Sequence, residues 1–88
     1  MGRFANEMTK AVAERGVTLY RVAKRTDLSE PFIRRLAAGV GLPSDEAVQR
    51  IAEALDWPAW RLHGAAVVDR VGPDHLRDAS RYLDSEAV

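Results

Sequence analysis

An all-α fold, five helices in a compact bundle followed by a sixth, is what this 88-residue sequence predicts, and three observations predict it. Apolar residues recur at three- and four-residue intervals through most of the chain, the period of a helix face. Thr18, Ser29 and Ser44 stand just ahead of such runs, where a side-chain oxygen accepts from an unpaired N–H of the first turn. No strand pattern is evident anywhere.

The first helix is expected from about Arg3 to Glu14, with Phe4, Met8 and Val12 on one face and Ala5 and Ala11 beside them. Gly16 ends it, free to take a positive φ, and Val17 turns the chain back before the Thr18 cap. Lys10 and Arg15 lie off the apolar face, facing solvent or within reach of a phosphate. Val22 and Ala23 point inward from the second helix, which closes between Arg25 and Asp27. Ser29 caps the third helix; Glu30 sets a negative charge at its positive end, and Pro31 occupies the first turn, where its missing N–H is not needed. Ile33 and Leu36 form its inner edge and Gly39 closes it.

Ser44 caps the fourth helix, whose Val48, Ile51, Ala52 and Leu55 make the clearest apolar stripe in the chain. Trp57-Pro58-Ala59-Trp60 opens the fifth, with both tryptophans expected in the core, since each can bury on the order of 200 Å². Leu62, Ala65, Ala66, Val67, Val68 and Val71 are more apolar surface than one buried stripe needs. Gly72-Pro73 breaks the chain, and Pro73 to Asp84 reads as a sixth helix with Leu76, Ala79 and Leu83 on one face. The expected organisation is one domain over 1–71, with 72–88 as a helix and tail that either folds back on the fifth helix or serves dimerisation.

Composition narrows the function. The absence of cysteine excludes a disulfide framework and a thiolate metal site, and fits a reducing cytoplasm. No apolar run approaches the ~20 residues that span a bilayer. His63 and His75 have no carboxylate cluster at ligand spacing, so neither a metal nor a cofactor is expected. No glycine-rich phosphate loop follows a strand, and nothing argues for an enzyme. Net charge is zero, yet residues 1–43 carry eight basic and four acidic groups, a balance of +4, and residues 44–88 carry the opposite balance. One basic half beside one acidic half suits a molecule with a single phosphate-facing side.

The basic half contains TLYRVAKRTDLSEPFIRRL, residues 18–36. Ala23, Leu28, Ser29, Ile33, Leu36 and Gly39, followed by Leu42-Pro43-Ser44 and IAEAL at 51–55, resemble the helix-turn-helix of the lambda-repressor and Cro-like, or Xre, family over about Phe4 to Leu62. The resemblance implies a recognition helix at 30–37. At about 100° per residue, Pro31, Arg34 and Arg35 point away from its inner edge and Glu30 lies at the border. These four are then the base-reading set, and each arginine can donate a bidentate pair to guanine O6 and N7. The backbone-contact set is Thr18, Tyr20, Arg21, Lys24, Arg25 and Ser29. Glu30 and Arg34, four apart, are also expected to pair in solvent. Phe32 is expected to pack partly into the core.

Departures from the family temper this. Asp27 stands where glycine is usual, Leu19 where a polar residue is usual, and Val40-Gly41 offers none of the basic or amide side chains common in that loop. What the resemblance implies is a transcriptional regulator of double-stranded DNA, a repressor acting as a cytoplasmic homodimer on a palindromic operator. The alternative is a protein-interaction module on the same scaffold, an antitoxin gripping a toxin or an antagonist of a related regulator.

Overall fold

The computed structural model describes residues 2–71, which form five helices and no strand. They are α1 (Arg3–Arg15), α2 (Leu19–Thr26), α3 (Glu30–Ala37), α4 (Asp45–Leu55) and α5 (59–71). The sixth helix read at 73–84 lies outside the described residues.

Local chemistry sets the boundaries. Thr18, Ser29 and Ser44 cap α2, α3 and α4, each accepting from the backbone N–H three residues on. At the other ends the chain turns left-handed at Gly16, Asp27 and Asp56, with φ of 64°, 60° and 48°. Gly39, at φ 82°, takes the chain away from α3. Gly2 begins α1 without a side chain to cap it. That role falls to Asp69 of α5, whose carboxylate accepts from the N–H groups of Arg3 at 2.8 Å and Phe4 at 2.9 Å. A Cβ on Gly2 would stand 2.6 Å from the same carboxylate, so glycine is what lets Asp69 approach. Asp69→Ala is therefore expected to cost ~0.5–2 kcal/mol, the usual worth of an N-cap, measurable by urea denaturation, although the two groups are 66 residues apart in sequence.

A single core joins all five helices. Met8, Val22, Ile33, Val48, Ile51, Leu55 and Leu62 are fully buried within it. α2 packs on α3 and on α4, and α1 lies across α3 and, less extensively, α4. Phe32 and Leu19 pack partly buried against this core, as expected for Phe32. Leu19 thereby turns partly inward from the surface on which the family shows polar groups.

The tryptophans divide, contrary to expectation. Trp57 is 7% exposed and Trp60 is 74% exposed. The helix period explains the split: Leu62 and Ala66 face the core from α5, and Trp60, two residues before Leu62, is turned about 200° away from it.

Arg15 lies off the apolar face and is exposed, as expected, but its guanidinium is engaged within the fold. Its guanidinium donates to the carbonyls of Leu55, at 3.0 Å, and Asp56, at 2.7 Å, and lies over the Trp57 ring. The last carbonyls of a helix lack intrahelical partners, and a cation there also meets the negative end of the dipole. Arg15 thus clamps α1 to the end of α4. At the far side Arg70 donates to the Pro43 carbonyl and to Asp45, both at 2.9 Å, fastening α5 to the start of α4.

Candidate nucleic-acid interface

The turn between α2 and α3 is held by Thr26 and Asp27. Thr26 is buried; its hydroxyl donates to the Val22 carbonyl at 2.8 Å and accepts from the Leu28 N–H at 3.3 Å. Arg50 of α4 reaches the Thr26 carbonyl at 3.4 Å while paired with Glu46 at 2.8 Å. Sequence reading missed both residues. A threonine three positions ahead of the next helix's cap is a weak local signal, and the Arg50 contact spans 24 positions.

Asp27 spends its left-handed φ of 60° where a β-carbon is disfavoured. Asp27→Gly is expected to raise stability by about 0.5–1 kcal/mol, strain relief exceeding the entropy glycine adds to the unfolded chain. A higher thermal midpoint would report it.

This turn sets α3 with Ile33 and Leu36 buried and Pro31, Arg34 and Arg35 exposed, Glu30 being half-buried. The Arg34 Nη2 lies 3.2 Å from the Glu30 Oε1, one helical turn back. Exposed i,i+4 pairs of this kind contribute only ~0.3–0.5 kcal/mol, so Glu30 steers the guanidinium without holding it. Among the described residues Arg35 has no ion-pair partner.

Of the expected backbone-contact residues, Tyr20, Lys24 and Ser29 line one groove of about 390 Å³ between α2 and α3, together with Glu30. The Lys24 ammonium sits 5.4 Å from the centre of the Tyr20 ring, so the two act as one unit on an exposed part of α2. Thr18, Arg21 and Ser29 are exposed at the starts of α2 and α3, where Thr18 and Ser29 each hold one first-turn N–H. The positive end of each helix faces outward there. Arg25 stands apart from this group: its Nη1 donates to the Ala54 carbonyl at 3.2 Å, at the same end of α4 that Arg15 clamps.

Chemically, the surface offers two guanidiniums on a convex helix face, flanked by an amine, a third guanidinium and hydroxyls along the preceding helix. A helix of that width fits the DNA major groove, and the flanking donors suit phosphates on its edge. The fold and surface thus define the class, a helix-turn-helix. Residues 9–58 match a protein-family model described as Helix-turn-helix, of the Xre and lambda-repressor-like kind. The match covers more than half of the chain, which belongs to that family. Searches of curated proteins and of solved structures returned no match. The chain is therefore a DNA-binding helix-turn-helix of transcription regulation. Among the described residues no helix is long and apolar enough to cross a membrane.

Proposed function

We propose that this protein is a sequence-specific repressor that binds double-stranded DNA in the cytoplasm as a homodimer on a palindromic operator. The observation that carries the reading is the outward face of α3, where Arg34 and Arg35 stand exposed beside Glu30 and Pro31. These four read base edges. Thr18, Tyr20, Arg21, Lys24 and Ser29 hold phosphates, and Arg25 joins them only by releasing the Ala54 carbonyl.

Two copies related by a two-fold axis set their recognition helices ~34 Å apart, one turn of the duplex. Pairing compensates for a sparse contact set, since the loop after α3 exposes Val40 and Leu42 rather than cations. The same sparse set predicts a shallow dependence of affinity on salt. Repression then follows from occupying promoter DNA.

A second reading, a module that grips a protein partner such as a toxin or a related regulator, is favoured by those two exposed apolar residues beside α3. Fluorescence anisotropy of the full chain against the DNA upstream of its own gene separates the two. Binding at ~50 mM salt that weakens as salt rises supports the repressor, and no binding there, where phosphate contacts are strongest, removes it.

A further inference from the structure

Away from the DNA-facing side, α1 and α5 enclose an open groove of about 860 Å³. Its α5 wall is apolar, with Trp60 and Val67 exposed. Gly64, between them, has open space where a side chain would be. Its polar lining is Asn6 and four charged groups, of which Arg3, Lys10 and Arg61 outnumber Glu7. Arg61 is spread between them, 3.9 Å from Glu7 and over the Trp60 ring. One Glu7 oxygen is buried without a hydrogen-bond partner among the described residues. The groove thus asks for an apolar helix face edged with acid.

We infer that segment 72–88 of a second copy of this chain occupies the groove, so that two copies exchange C-terminal arms. The inference rests on the homodimer proposed above and names where the second copy seats. Segment 72–88 carries Leu76, Ala79 and Leu83 at helical spacing, with Tyr82 adjacent. Its acidic residues, Asp74, Asp78, Asp84 and Glu86, outnumber Arg77 and Arg81. Charge and polarity therefore complement the groove, whereas two grooves facing each other would oppose basic rims.

Length and connection decide against the chain's own arm. A helix over 73–84 is about 18 Å long, enough to span the ~12 Å of α5 between Trp60 and Val68. To lie antiparallel along its own α5 it would have to reverse at once. Val71 is still helical, which leaves Gly72 as the sole connecting residue before Pro73. Antiparallel helices are joined by about two to five residues, and a residue ahead of proline is biased to an extended conformation. A Gly72-Pro73 link too short for that reversal favours entry of the segment into the other body of a two-fold pair.

The test uses the full chain with Ser85→Cys bearing a nitroxide, the sequence having no other cysteine. Spin-labelled ¹⁴N protein is mixed in large excess with ¹⁵N protein lacking the label, and the Trp60 indole N–H resonance is followed. A second sample carries the label on the ¹⁵N chain, diluted into excess unmodified ¹⁴N protein. Arm exchange predicts that the resonance is lost in the first sample and retained in the second. The reverse pattern overturns the inference by putting the arm in its own groove, and retention in both overturns it by leaving the groove empty of arms. Light scattering on the same samples separates the levels: a dimer with retention in both defeats arm exchange alone, while a monomer defeats the homodimer reading itself.

Discussion

Arg34→Ala and Arg35→Ala, made separately, are each expected to weaken binding to the best duplex selected from a random pool by about 1–3 kcal/mol, roughly five- to 150-fold, the worth of one good bidentate contact to guanine. Binding to unselected DNA should fall much less, because one cation among the phosphate contacts supplies only a share of the non-specific term. The two variants need not be equal. Arg34 is oriented by Glu30 at 3.2 Å, so its removal also leaves that carboxylate unopposed against the duplex. Among the described residues Arg35 has no such ion-pair partner, and its loss reports base contact more cleanly. Anisotropy titrations at one fixed salt concentration measure both, and equal losses on selected and unselected DNA would assign the arginines to phosphate instead.

Ile33→Ala should have the largest effect on stability in this motif, about 2–5 kcal/mol from lost burial plus the cavity left behind. Ile33 is wholly inaccessible to solvent and sits on the inner face of α3, in the core cluster with Met8 and Ile51. Against a total stability of order 5–15 kcal/mol for a domain, that is a substantial fraction, and the thermal midpoint should drop by on the order of 10 °C or more. Phe32, next in sequence but only partly buried, is the contrast: Phe32→Ala should cost visibly less. Circular dichroism melts of the two variants make the comparison.

The elements legible in the sequence are those governed by near neighbours. Thr18, Ser29 and Ser44 act as caps through a bond three residues long, and Gly16 marks a helix end through its own φ. The outward placement of Pro31, Arg34 and Arg35 follows from the helix period once Ile33 and Leu36 are recognised as inner residues. What escaped was set by partners distant in sequence. Asp69 capping α1, and Arg15 and Arg25 satisfying the carbonyls of Ala54, Leu55 and Asp56, join positions 29 to 66 apart. A guanidinium on a helix surface looks the same in sequence whether it meets phosphate or a neighbouring helix end, and Arg25 belongs to that ambiguity. Trp60 departs from expectation for a different reason: its bulk favours burial, but its angle to Leu62 on α5 turns it outward.

The most direct test of α3 as the DNA-reading helix is a ¹⁵N amide titration of the full chain with its selected duplex. The largest shifts are expected on residues 18–21 and 29–35, with α4 and the α1–α5 groove moving little. Shifts confined to α1 and α5, or none at ~50 mM salt where phosphate attraction is greatest, would contradict it.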